Sequence, residues 1–311
     1  MLSLVIPVFK NEESLHDLLI AINGLNTKLL GKFEAIFVID GSPDRCYEIL
    51  RKQLAKQSFE SQLILLSRNF GSFSAIRIGL EVGRGDRFAV MAADLQEPPE
   101  LVLEMNTQIL AGQYDVVLGA REGRDDPLLS RLASKTFWSF YRRYVVQEIP
   151  EGGVDVFACN KVFRDKLLTL VESHSSLIAQ IFWLGYRRKT IPYVRLRRKH
   201  GTSAWNLFKK LNYMSDSIFS FTDLPIRLLI RLGGATTILA ACFGVAVGIA
   251  RLMGLITVSG YAMTINVIVF MGAANLLGLG IVGSYAWRTY ENSKSRPLAI
   301  PMSTERFNHE K

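Results

Sequence analysis

Asp94 and Gln96 stand two residues apart, directly after the apolar run Phe88–Ala93 and just before Pro98-Pro99. On an extended backbone, alternation around Leu95 would point the carboxylate and the amide oxygen the same way. Two hard oxygen donors on one face suit Mg2+ or Mn2+ bridged to a diphosphate. A plainer account makes the stretch a helix start, with proline in the first turn and Glu97 and Glu100 favoured by the helix dipole. That account explains the prolines and the glutamates but leaves Asp94 unexplained. A second group of chemistry-bearing residues is basic: Arg195, Arg197, Arg198 and Lys199, between Tyr193 and Gly201-Thr202-Ser203. Such a run is either a solvated face beside anionic lipid or a phosphate site. The flanking tyrosine and glycine, with an amphipathic segment next in line, favour the phosphate site.

These residues need a scaffold, and the first 120 positions supply a regular one. Short apolar runs at Leu4–Phe9, Glu34–Ile39, Leu63–Ser67, Phe88–Ala93 and Val116–Gly119 alternate with helix-like segments at 13–27, 43–57, 72–83 and 99–111. A β-α alternation of this kind predicts a mostly parallel sheet covered by helices on both faces. In such sheets ligands bind beyond the carboxyl ends of the strands, where Asp94 falls. The fold by itself names no function.

The remaining chain is different in character. Residues 121–200 are polar and basic, and 203–222 place Trp205, Phe208, Leu211, Ile218 and Phe219 near helical spacing beside Lys209 and Lys210. A basic amphipathic helix ahead of an apolar region predicts a helix lying in a membrane interface. No charge occurs from Leu232 to Ala250, or from Leu252 to Trp287. Each stretch can hold a span of about 20 residues, with the bend near Gly254 and Val258–Tyr261. Lys209, Lys210, Arg227 and Arg231 precede the pair, Arg288, Lys294 and Arg296 follow it, and Arg251 lies between. The positive-inside rule therefore predicts a multi-pass inner-membrane protein with its catalytic half and tail in the cytoplasm.

At 311 residues the chain has room for one domain of about 200 residues plus a smaller part. Its net charge of +9 calls for a polyanionic partner. Nucleic acid is not expected, because the basic residues adjoin the membrane segment and form no recognised nucleic-acid fold. Cys46, Cys159 and Cys242 are scattered and give no metal or disulfide framework. No basic segment followed by a long apolar run opens the sequence, so no signal peptide is expected. Gly278-Leu-Gly280-Ile-Val-Gly283 satisfies a dinucleotide pattern but lies inside an apolar span, where a helix-packing face is the better reading.

Four loops carry the pattern that narrows the function: Ile6-Pro-Val-Phe-Lys-Asn-Glu-Glu13, Phe37-Val-Ile-Asp-Gly-Ser-Pro-Asp44, Ser67-Arg-Asn-Phe-Gly71 and Ala93-Asp-Leu-Gln-Glu-Pro-Pro99. In this order, ahead of two apolar spans, they resemble the inverting family 2 glycosyltransferases with a GT-A fold. The resemblance is strongest to the branch acting on polyprenyl phosphates: bactoprenol glucosyltransferases, dolichyl-phosphate mannose synthases and undecaprenyl-phosphate aminoarabinose transferases. It covers nearly the whole chain, through Arg288-Thr-Tyr-Glu-Asn-Ser-Lys-Ser-Arg-Pro297. It implies a Rossmann-like GT-A domain at 1–200, a juxtamembrane amphipathic region at 201–228, two transmembrane helices within 229–287 and a cytoplasmic tail at 288–311. It implies transfer of a sugar from a nucleotide diphosphate sugar to a polyprenyl phosphate, in contact with membrane lipid, by a homo-oligomer using Mg2+ or Mn2+.

Residue by residue, the resemblance implies that Pro7, Asn11 and Glu13 hold the nucleoside and that Asp40 is a donor-binding acid. Asp94 and Gln96 would take metal and diphosphate, and Arg121 would lie beside the diphosphate. Asp155, in Gly152-Gly-Val-Asp-Val-Phe157, would sit close to the acceptor, as base or as positioning group. Arg195, Arg198 and Ser203 would hold the acceptor phosphate. Two positions depart from the pattern: Ile39 and Ala92 stand where the family usually has acids. They put nucleotide choice and metal affinity in question, and they motivate a rival reading as a non-catalytic GT-A-like scaffold for a flippase or another transferase.

Overall fold

The computed structural model describes residues 1–122, 139, 141–143, 145–150, 152–173, 175–196, 207–254 and 260–308. They form two compact units, one of Met1–Tyr213 with Arg296–Lys311, the other of Met214–Ser295.

The first unit is built on eight strands: β1 (Leu2–Val8), β2 (Phe33–Ile39), β3 (Glu60–Leu66), β4 (Arg87–Val90), β5 (Val116–Arg121), β6 (Val154–Asn160), β7 (Arg188–Tyr193) and β8 (Pro301–Phe307). Their order across the sheet is β7-β5-β6-β4-β1-β2-β3-β8. β1 pairs in parallel with β2 and β4, β2 with β3, and β5 with β7. β6 runs antiparallel to β4 and β5, and β8 antiparallel to β3.

The helices are α1 (Leu15–Lys28), α2 (Cys46–Leu54), α3 (Ser72–Val82), α4 (Pro99–Leu110), α5 (Lys161–Leu168) and α6 (Leu177–Trp183). Alternation along the strands feeds two cores. Leu2, Leu4, Ile6 and Val8 of β1 pack with α1, α2 and α4, whereas Val5 packs on the other face with α3, α5 and α6. Strands buried on both faces read as continuous apolar runs, which is why the sequence marks them so clearly. A buried charge interrupts β2: Glu34 is fully buried yet bonded by the Ser3 hydroxyl at 2.6 Å and the Arg84 guanidinium at 2.9 Å.

The chain runs from β1 to β2 to β3 on one side, then returns as β4 on the other flank of β1. That reversal opens a crevice beyond the carboxyl ends of β1 and β4, the place where open α/β sheets bind ligands.

The second unit contains most of α7 (Leu207–Phe221), and all of α8 (Leu224–Leu252) and α9 (Tyr261–Ser293). Within α8 and α9, Leu224–Val247 and Val267–Ser293 are long and apolar enough to cross a membrane. Ile238, Leu239, Phe270 and Leu276 are each more than 60% exposed, so these are not the core helices of a water-soluble bundle. Within this unit α7 is fastened to the end of α9. The Arg288 guanidinium donates to Asp216 at 2.8 Å, and Phe219 meets Tyr285 edge-on at 5.1 Å.

Two expectations change. Residues 288–311 are not simply a tail: α9 runs on to Ser293, and Pro301–Phe307 forms an edge strand of the sheet. Alternation explains it, because Ser303 and Glu305 face Tyr47 of α2 while the open edge of β3 supplies backbone partners. The stretch before Asp94 is also shorter than Phe88–Ala93, since β4 ends at Val90.

Candidate active site

At the crevice, the loop after β1 and the loop after β2 are sewn together by side chains. The Lys10 amide donates to the Ser42 hydroxyl at 2.8 Å, and that hydroxyl donates to Asp44 at 2.7 Å. Glu12 takes the Arg45 amide at 3.0 Å and its guanidinium at 2.6 Å. Asn11 closes its own turn by accepting the Phe9 amide at 3.0 Å. Pro7 lies in β1 opposite Val38, and Glu13 is exposed on the short 3-10 turn Glu12–Ser14. Ser14, buried, donates to the Ala93 carbonyl at 3.0 Å and so ties this loop to the residue before Asp94.

Asp40 has an internal task. Its two oxygens accept the Phe70 amide at 2.7 Å and the Gly71 amide at 2.9 Å, holding the entrance to α3. Gly41 follows at φ +57, where a Cβ would come within 2.3 Å of the Arg68 backbone carbon. Ile39 is fully buried in the core at the end of β2.

The Asp94–Gln96 segment is not extended. Leu95 has a φ of 53, in the left-handed region that a leucine rarely occupies, and the Gln96 amide donates to the Asp94 carboxylate at 3.3 Å. A tight turn, rather than strand alternation, therefore sets where the two side chains lie. Gln96 is also bound to the segment after β7. Leu196 N–H donates to the Gln96 carbonyl at 2.8 Å, and the Arg195 guanidinium donates to the Gln96 amide oxygen at 2.6 Å.

Beside this turn the ends of β5, β6 and β7 bring together Arg121, Asp155 and Tyr193. Arg121 donates two hydrogen bonds to Asp155, one to each oxygen, and the Tyr193 hydroxyl donates to the same carboxylate at 2.6 Å. A shift in the β5–β6 register between Gly119 and Ala120 sets Arg121 at the strand end. Gly152 lets the chain pass: a Cβ there would lie 2.0 Å from the Arg121 carbonyl oxygen. Burial opposes the charge on Arg121, but the Asp155 partner outweighs it and holds the guanidinium above its ordinary range. Burial, then the negative charges of Asp155 and Glu97, push the Tyr193 hydroxyl far upward, so it stays a proton donor.

Glu97 completes the cluster, beyond the helix-dipole role that its place before Pro98 predicts. It is 3% exposed, and among the described residues its Oε2 is buried without a hydrogen-bond partner. Burial, followed by the charges of Asp155 and Asp94, pushes its carboxyl up to about 7, against the pull of Arg195 and Arg121. The structure thus unites Asp94, Gln96, Glu97, Arg121, Asp155, Tyr193 and Arg195, while Asn11 and Asp40 lie in the adjoining loops and Pro7 near the end of β1. Arg198 and Ser203 fall outside the described residues. Among the described residues no three His, Cys, Asp or Glu side chains gather as a metal cage. The donor set fits a different arrangement, in which one carboxylate and a substrate's phosphate oxygens share a Mg2+-type ion.

Residues 3–170 match the model of the family described as glycosyl transferase family 2. An uncharacterized glycosyltransferase of Synechocystis is 30% identical over 96% of this chain and 94% of its own length. The undecaprenyl-phosphate 4-deoxy-4-formamido-L-arabinose transferase of Edwardsiella ictaluri is 30% identical over 98% of this chain and 94% of its own. The enzyme of the same name from Pectobacterium carotovorum is 31% identical over 97% and 93%. A matched domain that carries the crevice, and relatives that run the length of the chain, agree: the chain belongs to glycosyl transferase family 2.

Proposed function

We propose that this glycosyltransferase moves a sugar, with inversion, from a nucleotide diphosphate sugar to a polyprenyl phosphate at the cytoplasmic face of a membrane. The observation that carries the reading is the juxtaposition of Asp94 and Gln96 with Arg121, Asp155 and Arg195 at the mouth of the sheet, in a chain that also holds two exposed apolar helices. The full-length relatives named for undecaprenyl phosphate support the acceptor class.

In this reading an acceptor phosphate oxygen attacks the anomeric carbon as the bond from that carbon to the donor diphosphate breaks, and the nucleoside diphosphate leaves. A lipid phosphate has its second pKa near about 6 and is mostly a dianion at neutral pH, so no strong base is required. That agrees with Asp155, whose two oxygens are taken by Arg121 and Tyr193. Its role is to aim the Arg121 charge at the leaving diphosphate, where preorganised charge lowers the barrier. Asp94 and the Gln96 oxygen would hold Mg2+ or Mn2+ with the donor, and the ion would neutralise part of the charge building on the diphosphate. Arg195, with Arg198 and Ser203, would bind the acceptor phosphate.

Purified full-length protein incubated with undecaprenyl phosphate, Mn2+ and a panel of UDP-, GDP-, CDP- and dTDP-sugars should yield a lipid-linked sugar by mass spectrometry with one donor. Asp94→Ala should lower that rate at least about 100-fold. Folded protein that gives no product with any donor would refute the assignment.

A further inference from the structure

Gln96 is asked to do two things with one oxygen. Its amide oxygen accepts a 2.6 Å hydrogen bond from Nη2 of Arg195, yet as a ligand for the donor's cation it would face a divalent positive charge. A guanidinium and a divalent ion repel each other at such range, which favours departure of Arg195 when the donor arrives. Among the described residues of this site, Nε of Arg195 and Oε2 of Glu97 are buried without hydrogen-bond partners. They belong to groups of opposite charge that already feel one another. A buried carboxylate oxygen left open is costly and persists where something is to fill it.

We propose that Glu97 is the second seat of Arg195: once the donor's diphosphate and cation claim the Gln96 oxygen, the guanidinium turns to Glu97. Glu97 then acts as a positioning residue for donor binding, through Arg195. The inference rests on the donor reading given above and deepens it. It also assigns a use to a buried carboxylate oxygen that has no hydrogen-bond partner among the described residues.

The test uses the full-length protein and manganese pyrophosphate as probe, with affinities from calorimetry. Plain electrostatics makes Glu97→Gln tighten binding, because a negative charge beside an anion site is lost. A second seat for Arg195 makes it weaken binding, by about tenfold, with Glu97→Asp restoring most of the loss. In an Arg195→Ala background the Glu97→Gln effect should vanish. Tighter binding, or strict additivity of the two changes, would overturn the inference and leave the donor reading standing. No binding of the probe by the wild-type protein would overturn both. A crystal structure of the wild-type complex needs no variant. Arg195 bonded to Glu97 upholds the inference, and Arg195 still on Gln96 refutes it.

Discussion

Asp155 has both carboxylate oxygens engaged, with Arg121 donating to each and Tyr193 donating to one of them. A carboxylate so occupied is a good anchor. Asp155→Asn is therefore expected to act on Arg121: the half-buried guanidinium loses its countercharge, and folding stability falls by roughly 3 kcal/mol. Thermal unfolding measures that loss. If the carboxylate were a base that aims nothing, pyrophosphate affinity would stay unchanged while turnover dropped. If it aims Arg121, affinity and turnover fall together. Tyr193 reaches the same carboxylate from β7, a strand that shares no sequence neighbourhood with Asp155. Contacts of that kind are invisible to spacing, as is the environment of Glu97. Its helix-start position was legible, but its burial and the nearby charges of Asp155 and Asp94 were not.

Among the elements, Gly152 controls a close approach between the segment entering β6 and the end of β5. A Cβ would press on the Arg121 carbonyl, which has no room to yield against β7, where Arg121 pairs with Tyr193. Gly152→Ala should therefore cut turnover about tenfold or more without touching substrate, as misplacements of about 1 Å do. Normal kinetics in a folded Gly152→Ala protein would refute the coupling. The strands and helices up to residue 120 were legible because each buries a periodic or continuous apolar face: the expected helices at 72–83 and 99–111 correspond to α3 at Ser72–Val82 and α4 at Pro99–Leu110. β7 and β8 were not, because edge strands bury little. In β7 only Ile191 and Tyr193 are buried, and β8 alternates exposed and half-buried positions with no apolar run. Asp94 and Gln96 were legible by type, whereas their geometry was not, because it depends on Leu95 adopting a left-handed backbone.

At the scale of the molecule, β7 and β8 are the two outermost strands of the sheet, and α7, α8 and α9 come between them in sequence. The chain leaves the sheet at one edge and rejoins it at the other, so the sheet is complete only once both apolar helices have been made. Deleting residues 296–311 should strip the backbone partners from β3 and the Glu305 partner from Tyr47 and Arg51. Hydrogen exchange at Leu63 and Leu65 is the measurement: protection should drop sharply, and unchanged protection would show that β8 is dispensable. An open β3 edge also offers a template for pairing with other chains, so the shortened protein should aggregate.

The register of β8 has a consequence in time. Leu63 lies opposite Glu305, so β3 emerges from the ribosome long before the strand that covers it, and both apolar helices are made in between. Domains fold in the order in which they are synthesised. During synthesis β3 therefore keeps one bare edge until both apolar helices and β8 have been made. Closure of that edge by the seven residues of β8 is then a late event, which only a chain synthesised through its last strand can reach.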